Sequence, residues 1–134
     1  RGLGDVYKRQ ELTAADFMRT GVYTVSLHRG TNECVRKMQR YNVDTLIVVD
    51  DAGRYAGTVS IADIRLNGHV VTDIAPLVRT ATPTVHSGDD AKGCFEQLIS
   101  SGASYLVVLG EAEQVEGIIT KTSMASAMAE QLWG

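Results

Sequence analysis

Leu46-Ile47-Val48-Val49-Asp50-Asp51-Ala52-Gly53-Arg54-Tyr55-Ala56-Gly57-Thr58-Val59-Ser60-Ile61-Ala62-Asp63 is the stretch that decides the fold. It opens on four consecutive apolar residues, mostly β-branched, the pattern of a strand buried on both faces. Asp51-Ala52-Gly53 then supplies a turn and Tyr55 to Val59 a second strand, which together predict a hairpin. The second strand runs straight into a helix beginning at Ser60, a residue type that caps free N–H groups at a helix start. Sixty residues on, the same design returns. Leu106-Val107-Val108-Leu109 and Val115 to Ile119 predict a hairpin around the acidic loop Glu111-Ala112-Glu113, and Gly117-Ile118-Ile119-Thr120 stands where Gly57-Thr58-Val59-Ser60 stood.

Working outward, Thr24-Val25 recurs as Thr84-Val85 and Cys34 as Cys94, at the same offset. One structural unit is therefore duplicated without net insertion. Two copies are too few for a solenoid and suit a pseudo-symmetric pair packed face to face, with related clefts for small ligands. Each unit starts with an extended piece, Tyr23-Thr24-Val25 or Pro83-Thr84-Val85, followed by the turns His28-Arg29-Gly30 and Ser87-Gly88-Asp89. A helix follows, with Cys34, Val35, Met38 and Tyr41 on its apolar side in one unit, and Cys94, Phe95, Leu98 and Ile99 in the other. Asn42 and Gly102 fall where a left-handed helix stop belongs. The result is an α/β sandwich of two β-α-β-β-α units. The expected boundaries are 11–65 for the first unit, 66–82 for a connection and 83–134 for the second unit with a C-terminal helix. Within the connection, Leu66-Asn67-Gly68-His69 reads as a turn and Val71 to Val78 as a short helix matching Ala14 to Met18.

The 134 residues, 44% of them hydrophobic, suffice for a compact body with a real core. The longest apolar run is strand-length, far short of the roughly 18 residues of a membrane span, so no direct membrane insertion is expected. Cys34 and Cys94 read as small core residues rather than a disulfide, which fits a reducing compartment. Residues 1–10 look non-native: Asp5-Val6-Tyr7-Lys8-Arg9-Gln10 resembles a translated sequencing adaptor, which would make the chain a fragment of a longer protein. Arg1, Lys8 and Arg9 against Asp5 contribute +2 to the net charge of −3, so residues 11–134 carry −5. An acidic body without a basic stripe argues against a nucleic acid polymer as partner. His28, His69 and His86 each stand alone among turn residues, without metal-ligand spacing, and read as surface loop residues. Arg36, Lys37 and Arg40 fall on the solvent side of the first long helix and read as solvation. Neither a nucleophile–base constellation nor a phosphate-binding Gly-rich loop stands out, so the fragment itself is expected to be non-catalytic, with no catalytic or metal-binding residues.

The duplication, together with Gly57-Thr58-Val59-Ser60-Ile61-Ala62-Asp63, resembles a tandem CBS domain pair (Bateman module) over roughly residues 14–129. That heptapeptide fits the family's Gly-hydrophobic-x-Ser/Thr-x-x-Asp motif. Its counterpart, Gly117-Ile118-Ile119-Thr120-Lys121-Thr122-Ser123, keeps the hydroxyl but lacks the acid. Val43-Asp44-Thr45-Leu46-Ile47-Val48-Val49-Asp50 and the terminal Glu130-Gln131-Leu132-Trp133-Gly134 resemble the C-terminal tail of the ATP-binding subunit of glycine betaine, carnitine or choline (osmoprotectant) ABC importers. The resemblance implies a regulatory module binding an adenine nucleotide (cyclic di-AMP, AMP or ATP), with no cofactor required. It also implies a homodimer formed through the CBS pairs, and a parent chain working with membrane-embedded permease subunits at the cytoplasmic face of the plasma membrane.

The resemblance places ligand contacts at Ser60 and Asp63, with the carboxylate on ribose hydroxyls and the hydroxyl and helix N-terminal amides near phosphate. A capping box accounts for the same two residues, with Ser60 as N-cap and an acid three positions later. Tyr105, standing where the first unit has Thr45, is expected to stack on an adenine, with Ile118 on the cleft wall and Lys121 near phosphate. Thr120 repeats the role of Ser60, and Tyr23, Val43 and Thr45 complete the set in the first unit. Two other readings stay open: a ligand-free dimerisation or ionic-strength-sensing CBS module of the same transporter, and the regulatory CBS pair of another enzyme.

Overall fold

The structure is a computed structural model that describes residues 12–67 and 70–133. The expectation for residues 1–10, the Gly68-His69 part of the expected turn, and the Trp133 side chain with Gly134 lie outside what is described. The elements run α1 (Ala14–Phe17), β1 (Thr24–Ser26), α2 (Thr31–Tyr41), β2 (Thr45–Val49), β3 (Tyr55–Ser60) and α3 (Ile61–Asn67). A 3-10 turn at Ala75–Leu77 follows, then β4 (Thr84–His86), α4 (Ala91–Ser101), β5 (Tyr105–Leu109), a turn at Glu111–Glu113, β6 (Val115–Thr120) and α5 (Lys121–Trp133).

The strands form two three-stranded sheets, β1-β2-β3 and β4-β5-β6. In the first, β1 runs parallel to β2 with Thr24 beside Ile47, and β2 pairs antiparallel with β3, Thr45 beside Ser60. In the second, β4 runs parallel to β5 with Thr84 beside Val107, the same register sixty residues on. Parallel neighbours need a crossover, and α2 and α4 supply it. Leu46, Ile47 and Val48 are all buried, as are Leu106 to Leu109, so the two apolar runs are strands covered on both faces. The α2 helix ends at Asn42 and α4 at Gly102, both left-handed, with φ 55° and 67°. Asp50 closes the first hairpin, its Oδ1 accepting from the backbone N–H of Ala52 and of Arg54, both at 2.9 Å.

The chain divides into two compact units that cross the expected boundaries. One contains residues 22–82 with 112–115; the other gathers residues 12–21 with 83–111 and 116–133. The expectation that 11–65 forms one unit is corrected at its beginning. Ala14 and Phe17 are buried in the cluster of Val85, Cys94, Leu98, Leu106, Val108 and Ile119. Residues 66–82 are likewise more than a connection, because Ile74 is buried with Val25, Cys34, Met38, Leu46 and Val59, and Leu77 and Val78 pack against them.

Hydrogen bonds explain this grouping. Ala14 donates to the Asp89 carbonyl at 2.8 Å and Ala91 to the Leu12 carbonyl at 3.2 Å; in the other unit Ile74 donates to the Arg29 carbonyl at 3.0 Å and Thr31 to the Thr72 carbonyl at 3.1 Å. Each unit is thus roofed by the ten-residue segment that precedes the other unit's first strand. The helix expected over Val71 to Val78 shrinks to the single 3-10 turn at Ala75–Leu77. Pro76 has no N–H to give, and the Asp73 carboxylate takes the Ala75 N–H at 3.0 Å, so the segment turns once and stops. Conversely Leu66 and Asn67, expected in a turn, complete α3, where the Asn67 amide nitrogen donates to the Asp63 carbonyl at 3.0 Å.

Two helix-face expectations also change. Phe95 and Ile99 are each 55% exposed, because the buried residues of α4 are Cys94 and Leu98, with Ala91 packed beside them. Lys37 is no mere solvating charge: its Nζ donates to the Thr24 carbonyl at 2.6 Å, tying α2 to β1. Cys34 and Cys94 are free and fully buried. Burial pushes the Cys34 thiol up and the Cys94 thiol up to about 11, so both are unreactive neutral groups in the core.

Candidate functional site

Ser60 ends β3, and its Oγ accepts the Asp63 N–H at 3.2 Å, capping α3. The first half of a capping box is therefore present. Its second half is not, because the Asp63 carboxylate turns instead to Arg79. Arg79 Nε donates to Oδ2 at 2.6 Å and Nη2 to Oδ1 at 3.0 Å, a bidentate pair. Asp63 is a mostly buried residue, 9% exposed. The hydrogen bonds and charge of Arg79 hold its carboxyl below the usual carboxylate range against the opposing effect of burial.

Arg79 is delivered there by its backbone. Its N–H donates to the Thr58 carbonyl and its carbonyl accepts from the Thr58 N–H, both at 2.8 Å, which adds a strand-like bridge to β3. That approach requires glycine at the neighbouring position. A Cβ on Gly57 would stand 2.5 Å from the Arg79 carbonyl oxygen, and its φ of 144° suits no other residue. The pair lies in an open groove of about 490 Å³, lined by Asp63, Asn67, Val71, Pro76, Leu77 and Arg79 among others.

The second unit repeats the frame with different chemistry. Arg19 exchanges two backbone hydrogen bonds with Ile118, at 2.8 and 3.0 Å, as Arg79 does with Thr58. A Cβ on Gly117 would stand 2.5 Å from the Arg19 carbonyl oxygen. Here the cap is complete and turned inward. Ser123 N–H donates to Thr120 Oγ1 and Thr120 N–H donates to Ser123 Oγ, both at 2.9 Å. Ser123 has no carboxylate to offer Arg19. The corresponding groove, about 350 Å³, is lined by Phe17, Met18, Arg19, Thr122, Ser123 and Glu130 among others.

The remaining sequence candidates sit around these grooves rather than in them. Thr45 lies beside Ser60 in the hairpin register, and its Oγ1 donates to Asp44 Oδ1 at 3.2 Å. Val43 packs against the first unit's core. The Tyr23 ring stacks on Tyr41 with centroids 4.2 Å apart, so its face is already engaged. Tyr105 is half-buried at the start of β5, Ile118 is held through its backbone by Arg19, and Lys121 is exposed at the start of α5. Residues missed from the sequence are Arg79 and Arg19. The signal was present, because Arg19-Thr20 and Arg79-Thr80 repeat at the same sixty-residue offset as the strands. Among the described residues no group of three or more His, Cys, Asp or Glu could hold a metal, and no helix is long and apolar enough to cross a membrane.

Two sheets of this topology, each followed by a Gly-x-x-Ser/Thr helix start and roofed by an exchanged segment, define a tandem CBS domain pair. A CBS domain family model matches residues 14–67; the chain has the fold of a tandem CBS domain pair and is similar in sequence to the ATP-binding subunits of osmoprotectant transporters. It is 22% identical over 120 residues to the carnitine transport ATP-binding protein OpuCA of Listeria monocytogenes; the match covers 90% of this chain and 30% of that protein. The chain therefore spans about a third of such a relative. Among solved structures it superposes on Staphylococcus aureus OpuCA with a TM-score of 0.74 at 18% identity, covering 85% of this chain and 97% of that one. A structure of CbpB in complex with c-di-AMP gives 0.79 at 17% identity, covering 97% and 93%.

Proposed function

We propose that this chain is the regulatory, non-catalytic CBS module of an osmoprotectant ABC importer's ATP-binding subunit, and that it senses an adenine nucleotide, cyclic di-AMP above AMP or ATP. The observation that carries this reading is the Ser60–Asp63–Arg79 arrangement, set in a chain that matches a carnitine transport ATP-binding protein over 90% of its length. The solved complex of CbpB with c-di-AMP supports the choice of ligand class. The module would act at the cytoplasmic face of the membrane as part of a dimer, beside permease subunits that the parent chain serves.

The chemistry follows from the Asp63–Arg79 pair. Two Arg79 hydrogen bonds leave acceptor capacity on the Asp63 oxygens for ribose hydroxyls. An incoming phosphate competes with Asp63 for the Arg79 guanidinium, which is largely exposed to solvent. Ligand would thus exchange an internal ion pair for two external ones, and any preference for one arrangement of the parent transporter shifts its population. Tyr105 belongs to the other unit and would supply stacking to a purine bound in that unit, on the order of 1–3 kcal/mol.

Calorimetric titration of the whole chain with cyclic di-AMP, AMP and ATP tests the reading. Saturable heat with cyclic di-AMP is expected, and Tyr105→Ala weakens it several-fold. No heat with any of the three at millimolar nucleotide sinks the sensor reading and leaves a ligand-free module.

A further inference from the structure

The first strand of each sheet lies at its edge, and the long helix beside it treats that edge differently in the two repeats. In a parallel pair, alternate residues of the edge strand bond to the neighbour, and the residues between them turn their backbone groups outward. In β1 the Tyr23 carbonyl accepts the Ile47 N–H at 3.1 Å, and the Leu27 N–H reaches the Val49 carbonyl at 2.9 Å. The Thr24 carbonyl therefore faces the outer edge, where Lys37 Nζ donates to it at 2.6 Å. In β4 the Pro83 carbonyl accepts the Val107 N–H, and the Ser87 N–H reaches the Leu109 carbonyl, both at 3.0 Å. The Thr84 carbonyl takes the same outward place. Its lysine is missing. Gln97 stands where Lys37 stood, and no side chain among the described residues donates to the Thr84 carbonyl.

A groove of about 420 Å³ opens at this point, with Thr84 and Val85 on the strand side and Asp89, Gly93, Glu96 and Gln97 on the other. Smaller residues accompany the lost lysine, since Gly93 replaces Glu33 and Ser100 replaces Arg40. The charge reverses as well, Glu96 for Arg36 and Asp89 for Arg29. Asp89 and Asp90 each give one carboxylate oxygen to a backbone N–H, of His86 at 2.9 Å and of Gly93 at 2.8 Å. Their other oxygens keep acceptor capacity, and Glu96 is exposed beside them. Lys92, exposed one turn before Glu96, offsets one of these three acids, and the surroundings stay anionic.

We propose that this groove binds a linear aliphatic diamine. One ammonium donates to the Thr84 carbonyl, in the place that Lys37 Nζ fills in the other repeat, and the second lies with the Asp89 and Glu96 carboxylates. The methylene chain runs past Gly93, where a larger side chain would stand in its way. An ammonium suits a carbonyl and carboxylates together because it brings three donors and a charge. Two anionic positions, one ahead of α4 and one along it, select a ligand with two cationic ends. The site uses none of the residues assigned to nucleotide and stands apart from the sensing function.

Calorimetric titration of the full chain with cadaverine, which carries the lysine side chain and a second ammonium, tests the proposal. Saturable heat is expected, weakening as salt rises. Tetramethylammonium has the charge but no N–H donor and should give none. Gln97→Lys supplies a tethered ammonium to the Thr84 carbonyl and should weaken cadaverine binding by ~10-fold or more. Glu96→Gln, at an exposed position, should weaken it several-fold. Circular dichroism checks that both variants are folded. No heat with cadaverine, equal heat with tetramethylammonium, or unchanged cadaverine affinity in either folded variant would each overturn the proposal.

Discussion

The grooves beside α3 and α5 have the same frame and opposite chemistry. In both, a glycine lets an arginine-bearing segment bridge to the last strand of a sheet, and in both a hydroxyl caps the following helix. Only the first has a carboxylate three residues after the cap. There the arginine is pinned and the acid is mostly buried; in the second the serine folds back on its own helix and the arginine is exposed. Backbone geometry survived duplication because it rests on close packing, which tolerates little change. Side-chain chemistry diverged because an exposed arginine without a partner costs a fold almost nothing.

The largest effect should come from the frame. Gly57→Ala sets a Cβ against the Arg79 carbonyl and forces a φ of 144° on an L-residue, so a loss of about 2–4 kcal/mol is expected. Gly117→Ala meets the same clash at the Arg19 carbonyl without the positive φ, and should lose only about 1–3 kcal/mol. Urea denaturation measures both, and equal losses would show that the two frames are not distinguished by backbone strain.

A smaller effect tests the chemistry. The Asp63 carboxyl is depressed in the folded chain, so its contribution to stability is complete above the ordinary carboxylate range and fades as pH falls through the folded value. Asp63→Asn should therefore lower stability at pH 7 and flatten the acid limb of the stability curve. Ser123→Asp should do the reverse, giving Arg19 a partner and steepening that limb. If Ser123→Asp leaves the acid limb unchanged, the equivalence of the two arginines fails.

The smallest effect concerns Lys37, which has no counterpart because Gln97 replaces it. Lys37→Met should lose about 1–2 kcal/mol through the missing bond to the Thr24 carbonyl. Gln97→Met should lose almost nothing by the same thermal melt.

Much of the frame was legible in the chain. The buried strands, the hairpin and its turn, and the left-handed stops at Asn42 and Gly102 all follow from local rules that act over a few residues. Three features were not. Phe95 and Ile99 share a helical face with Cys94 and Leu98 on a coarse reading, yet one step of about 100° turns them to water. The Arg79–Asp63 pair joins residues sixteen apart through a groove; the Arg19/Arg79 repeat marks the arginines, but nothing in the sequence marks Asp63 as the partner. The placement of α1 was hardest, since four residues carry too little pattern to show which sheet they will cover. Of the expected site residues, Ser60 and Asp63 were singled out through their motif; Ser60 caps α3 as the capping reading has it, and the Asp63 carboxylate pairs with Arg79 instead of completing the box.

The exchange of roofing segments has a consequence for the order in which the molecule can be made. Residues 22–82 supply nearly all of one body in a single continuous stretch, so that body can close while synthesis is still under way. Residues 12–21 leave the ribosome earlier but belong with Ile118 and its neighbours, about a hundred positions downstream. This segment, made before residues 22–82, is therefore among the last of the described residues to find its place, and until then Phe17 stays outside the core that finally holds it. A permuted chain beginning at residue 83 and joined from 133 to 12 would remove that wait, turning a closure over about a hundred residues into a local one.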